Sequence, residues 1–132
     1  MASGVFRVRA FPFIREPRIA AAMILFLRIA FIIVLVSMFA VTGWASSVVA
    51  LWKTPREVAT HPWFIATLFD CYFAFLTFYA WVAYKERTVL ARVGWLLGIL
   101  LLGNIAMATY MLIQLFRLPL TAKMEDLLVR RK

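Results

Sequence analysis

Three stretches of the chain run for the length of a bilayer crossing with almost no charge. Ile19–Leu51 is interrupted only by Arg28, Trp63–Tyr84 only by Asp70, and Val93–Phe116 carries no formal charge. A transmembrane helix needs about 20 consecutive apolar residues. The first stretch is too long for one crossing and too short for two. Its span is therefore read as about Ile29–Leu51, with Ile19–Leu27 as a helical lead-in along the interface and Arg28 snorkelling to the headgroups. The other spans are read as Trp63–Tyr84 and Val93–Phe116. Composition agrees: the 132 residues are 65% hydrophobic and only 16% charged, against about 45–50% and about 25% in a soluble domain. A soluble globular fold is excluded, and so is a multidomain chain. The expected fold is an all-α membrane protein with three transmembrane helices, up-down-up, plus short interfacial helices. Residues 1–28 form a basic N-terminal segment, 29–116 the transmembrane domain and 117–132 a basic amphipathic tail.

The net charge of +9, from 15 Lys and Arg against 6 Asp and Glu, would suggest nucleic acid in a soluble protein. Here the cations flank the apolar runs, Arg7, Arg9, Arg15 and Arg18 before the first and Arg130, Arg131 and Lys132 after the last. That placement points to anionic lipid headgroups as the partner, not nucleic acid. Three spans would put the termini on opposite sides, with eight Lys and Arg facing seven. The first helix usually dominates orientation, which favours the N-terminus inside. A cleaved signal peptide does not fit, because the first apolar run is too long. The expected location is the bacterial inner (cytoplasmic) membrane, as a multi-pass protein.

The connectors carry capping chemistry. Thr54-Pro55-Arg56-Glu57 matches a capping box, with Thr54 as N-cap and Pro55 at the first helical position, and predicts a short interfacial helix. Pro62 can open the second span because it falls in the first turn. Lys85–Arg92 is a tight charged loop that sets the second and third runs antiparallel, and Met124–Arg130 reads as a short amphipathic helix.

Asp70 is the one acidic residue at membrane depth, and a carboxylate there should face other helices. Trp63, Thr67, Asp70, Ala74, Thr77, Trp81 and Tyr84 recur at heptad spacing, a seam for helix packing. Ser37, Ala40, Gly43 and Ser47 on the first span, and Gly94-xxx-Gly98 and Asn104-xxx-Ala108 on the third, offer small-residue edges for close approach. With three full crossings, Ser46, Ser47, Asp70, Thr109 and Tyr110 fall at one depth. A hydroxyl of Tyr110, Thr109 or a serine would then donate to Asp70. Such a knot fixes packing register; the alternatives are a proton or cation site and a contact to another chain or a cofactor. Asn104 is expected to make an interhelical hydrogen bond, and the five tryptophans, with Tyr84, to form an interfacial belt.

His61 is the only histidine and Cys71 the only cysteine, so neither a multi-histidine metal site nor an internal disulfide can be built. His61 reads as a helix-start polar group, and as a ligand could serve only as a single axial contact to haem or chlorophyll. No phosphate loop, HExxH, GxSxG or Cys-His pairing occurs, so neither enzymatic activity nor a resident cofactor is expected.

Three segments carry a family resemblance: Ser37-Met38-Phe39-Ala40-Val41-Thr42-Gly43-Trp44-Ala45-Ser46; His61-Pro62-Trp63-Phe64 with Thr67-Leu68-Phe69-Asp70 and Trp81-Val82-Ala83-Tyr84-Lys85-Glu86; and Leu102-Gly103-Asn104-Ile105-Ala106 with Gln114-Leu115-Phe116. From about Met23 to Leu118 the chain resembles a family of small three-span membrane proteins of bacteria and plants known only as a domain of unknown function. The resemblance implies a compact helical membrane protein and brings no functional residues. The leading expectation is a structural or accessory component, either a homo-oligomer or a small subunit of a larger membrane complex. The alternatives are a dimeric proton- or cation-linked carrier using Asp70, and a pigment or haem contact through His61.

Overall fold

The structure, a computed structural model, describes residues 16–129. Among them run six α-helices and one 3-10 turn: α1 (Glu16–Val48), the turn Leu51–Lys53, α2 (Arg56–Ala59), α3 (Pro62–Lys85), α4 (Val89–Leu102), α5 (Asn104–Phe116) and α6 (Met124–Leu128). The fold is all-α, as the apolar runs imply. The flanking cations Arg7, Arg9, Arg15, Arg130, Arg131 and Lys132 lie outside the described residues.

α1 and α3 are long and apolar enough to cross a membrane. No break separates a lead-in from a span in α1, which runs unbroken for 33 residues, about 50 Å at a rise of about 1.5 Å per residue. Nothing in its sequence could break it: Pro17 lies in the first turn, where it costs no intrahelical bond, and the first glycine is Gly43. Pro62 opens α3 as expected. The short helix after the first run is present, but its N-cap is Pro55, one residue later than the capping-box reading. Thr54 instead donates its Oγ1 hydrogen to the Leu51 carbonyl at 2.7 Å and closes the 3-10 turn.

The third apolar run is not one rod. It breaks at Gly103, which has φ +53° and ψ −124°, a conformation that side chains with a Cβ adopt only under strain. A Cβ on Gly103 would also stand 2.8 Å from Cζ of Phe75. Beyond the break α5 folds back antiparallel to α4. Trp95 meets Tyr110 with ring centroids 4.8 Å apart, and a Cβ on Gly98 would touch Ala106 at 3.8 Å. The expectation of a single span at 93–116 is corrected accordingly: the run is a helical hairpin whose arms are each about 20 Å long. A Gly-Asn pair at the midpoint reverses the chain, and average hydropathy does not register it.

The hairpin stands between the long helices, with α1 packed along α5 and α3 along α4. One buried cluster, Ile24, Leu115, Leu118, Ala122 and Leu127, joins α1 to the end of α5 and to α6. Another, Val82, Ile99, Ala106 and Tyr110, joins α3 to the hairpin. Both clusters lie in the half of the molecule that the hairpin occupies, the first at its mouth and the second running from Val82 and Tyr110 to Ile99 and Ala106 near the turn. Toward the far end nothing covers the long helices: every residue from Phe39 to Val49 and from His61 to Asp70 is exposed. Because the hairpin returns, Glu16 and Val129, the ends of the described chain, both lie at the mouth end. This replaces the expectation of termini on opposite sides.

Candidate functional site at the hairpin mouth

Polar chemistry collects where four helix ends meet. α3 stops at Glu86, whose backbone is extended (φ −75°, ψ 139°). Two residues later Thr88 caps α4, its Oγ1 accepting from the Ala91 amide at 3.3 Å. The loop is braced by Arg92, whose Nε donates to the Glu86 carbonyl at 3.0 Å. Glu86 turns its side chain inward, and Oε1 accepts the Tyr110 hydroxyl at 3.0 Å. The Tyr110 ring is fully buried, met edge-on by Trp95 and by Phe78 and Trp81 at 6.2 and 5.5 Å. Edge-on geometry suits aromatic quadrupoles, so this packing holds the hydroxyl on Glu86.

The tail closes over this end. α6 is tied down by Trp81 Nε1, donating to the Leu128 carbonyl at 3.1 Å, and by Lys85 Nζ, donating to the Leu127 carbonyl. Lys85 also lies over the Trp81 ring, 5.2 Å from its centroid. Leu127 inserts against Ile24, Leu115 and Leu118. Asp126 accepts the Lys123 amide at 3.0 Å, a reciprocal cap that fixes the first turn of α6.

Arg28 does not snorkel outward. It donates from Nη2 to the Leu115 and Leu118 carbonyls at 2.9 and 2.8 Å, with its guanidinium 4.9 Å from the Phe116 ring centroid. The carbonyls that end α5 lack the i+4 amide of a continuing helix, the Leu115 carbonyl taking the Leu118 amide at 3.3 Å instead, and a cation at a helix C-terminus is favourable. Its Nε is buried without a partner. Between these parts lies a cavity of about 350 Å³, lined by Lys85, Glu86, Arg87, Thr88, Gln114, Arg117, Leu118 and Asp126. Three cations and two carboxylates line it. Gln114, only 8% exposed, is the one buried polar residue among the described positions.

The residues expected to gather around Asp70 are not brought together. Asp70 is exposed on α3, and no hydrogen bond or ion pair reaches it among the described residues. The hydroxyls assigned to it bond elsewhere: Ser47 to the Trp44 carbonyl at 2.7 Å, Thr109 to Ile105 at 2.7 Å, and Tyr110 to Glu86. Thr67 and Thr77 bond back to Trp63 and Phe73. Ser46 is exposed, and so is Asn104 at the hairpin turn. The depth alignment that grouped these residues required the third run to end where the second begins; the hairpin takes Tyr110 to the opposite end. His61 is the exposed N-cap of α3, without a side-chain capping bond. Of the tryptophans, Trp44, Trp52 and Trp63 are exposed toward the far end, while Trp81 and Trp95 turn inward onto Tyr110. Tyr84 is exposed near the end of α3. No group of three or more potential metal ligands occurs among the described residues.

Sequence reasoning missed the Glu86–Tyr110 pair and the inward Arg28. The available signal was the Gly103-Asn104 turn: a reversal there places Tyr110 beside the loop that holds Glu86. No curated protein and no solved structure matches the chain. The resemblance to a family of unknown function does hold, over nearly the whole chain. The chain belongs to the family described as Protein of unknown function (DUF1475), matched across residues 13–131.

Proposed function

We propose that the chain is an integral membrane protein that serves as an assembly component, joined through the Asp70 face of α3 to another membrane chain. In this reading α1 and α3 cross the bilayer, and the α4–α5 hairpin enters from the mouth side and returns without crossing. Charge supports that arrangement. Of the nine Lys and Arg in the described chain, only Lys53 and Arg56 lie at the far end; the other seven lie at the mouth end. The near balance of a three-crossing reading disappears, and the positive-inside rule places the mouth, with both ends of the described chain, in the cytoplasm. The membrane is assigned as a bacterial inner membrane.

The assembly role rests on Asp70. It lies about 12 Å from the start of α3 by helical rise, on a helix whose neighbouring side chains Leu68, Phe69, Tyr72 and Phe73 are themselves exposed and apolar. A carboxylate facing lipid near mid-membrane costs roughly 2.5–3.5 kcal/mol on insertion scales. A donor from a second chain removes that cost, and the bare far-end halves of α1 and α3 leave room for one. The test is native mass spectrometry in mild detergent on the wild type and on Asp70→Leu. Association lost in the variant, with the monomer still folded, is the expected result. A wild-type chain that stays monomeric in native membranes, or an assembly indifferent to Asp70→Leu, overturns the reading. A stable homodimer identifies the partner as a second copy; a heteromeric complex identifies the chain as a subunit.

A further inference from the structure

We infer that the mouth cavity holds the phosphate-bearing headgroup of a membrane lipid. The inference rests on the membrane reading above and adds a ligand to it. Its first support is position: the cavity lies among the last turn of α3, the first of α4 and the last of α5, the level at which a bilayer's headgroups meet helices that enter from that side. Its second is charge. The carboxylates of the lining already accept hydrogen bonds from the chain, Glu86 from the Tyr110 hydroxyl and Asp126 from the Lys123 amide. The Arg117 guanidinium, by contrast, is exposed and makes no hydrogen bond among the described residues. Arg87 and Lys85 add positive charge to the same walls. The Arg117 guanidinium thus has donors to offer an anion in the cavity, and phosphate oxygens suit guanidinium donors.

Lipid is favoured over a soluble phosphate by what adjoins the cavity. Val89 and Leu90, directly after Thr88, are 72% and 85% exposed, and Phe116, directly before Arg117, is 60% exposed. A phosphate in the cavity would thus have apolar surface beside it along which acyl chains can run down the hairpin. The volume of about 350 Å³ exceeds what phosphate alone would fill and leaves room for glycerol or another substituent.

The full chain in mild detergent, examined by native mass spectrometry with added phosphatidylglycerol, diacylglycerol or inorganic phosphate, tests this. One phosphatidylglycerol is expected to be retained, diacylglycerol is expected to be lost, and millimolar inorganic phosphate should not displace the lipid. Arg117→Gln should weaken retention about tenfold, roughly the 1.4 kcal/mol of one charge-assisted contact, while Arg56→Gln at the far end should leave it unchanged. Because Arg117 is exposed, the variant is expected to melt like the wild type. Equal retention of diacylglycerol, or retention indifferent to Arg117→Gln, overturns the inference; displacement by inorganic phosphate overturns the lipid assignment in favour of a soluble anion. If the chain fails to insert into vesicles, the membrane reading itself fails. If it inserts and does not retain phosphatidylglycerol, only the headgroup assignment falls.

Discussion

In the half that holds the hairpin Tyr110, Val82, Ile99 and Leu115 are sealed from solvent, whereas at the far end no residue of α1 beyond Met38 and none of α3 before Cys71 is covered. The local sequence does not explain the contrast, since the uncovered far half of α1 is, if anything, the less charged one. The hairpin explains it. It reaches only as far as Gly103, and it brings to one end every long-range side-chain hydrogen bond described above: Arg28 to α5, Tyr110 to Glu86, and Trp81 and Lys85 to α6. One half of the molecule thus satisfies its own polar groups. The other leaves Asp70 and a row of small residues for something else to meet.

The comparison is broken most decisively by topology. Single cysteines introduced at Thr54 and Thr121 in a Cys71→Ala background should label from opposite faces of sealed membrane vesicles, and one at Arg87 should label with Thr121. An unbroken third span would pair Thr121 with Thr54 instead, an all-or-none difference. Next in size is Tyr110→Ala, which empties a fully buried aromatic site and should cost about 3–5 kcal/mol, read as a large fall in melting temperature in detergent. Tyr110→Phe keeps the ring and removes only the hydroxyl donated to Glu86, for roughly 1.5–3 kcal/mol. Trp44→Ala, at an exposed far-end position, should change the monomer's melting by little.

Much of this division could be read in advance, and the unread part has a definite cause. The long helices were legible because their apolar runs contain no internal proline and end at Thr54-Pro55 and Lys85-Glu86. The all-α class and the antiparallel α3–α4 pair followed from the same residues. The site was not legible, because grouping Asp70 with Thr109 and Tyr110 depended on one assumption about the third run. A single residue, Gly103, decides that assumption through its backbone angles, and a hydropathy average weighs it as any other residue. Arg28 was misplaced for a related reason. Whether a cation snorkels outward or turns inward depends on whether helix-end carbonyls lie within reach, and here the returning end of α5 supplies them.

Gly103→Ala sharpens the contrast at the boundary itself. The new Cβ meets the Phe75 ring at 2.8 Å, and the backbone conformation adds strain of about 1–3 kcal/mol. Phe75→Leu in the same chain should relieve the clash and leave the strain, so the double variant should recover stability only in part. Full recovery would mean that the φ of +53° is not required for the reversal.

Gly43→Ala probes the other side of the boundary and should have the smallest effect in the isolated chain. Nothing lies within 4 Å of a Cβ built there, and in a helix interior alanine is favoured over glycine by about 1 kcal/mol. The monomer should therefore be unchanged or slightly stabilised. In the assembled state the sign can reverse, because Gly43-xxx-Ser47 is the kind of edge along which two membrane helices approach closely. A methyl group that the monomer tolerates but the assembly does not would locate the partner on the bare half of α1 as well as on Asp70. If melting and association are both unmoved, the partner is confined to α3 and the outer half of α1 is left to lipid.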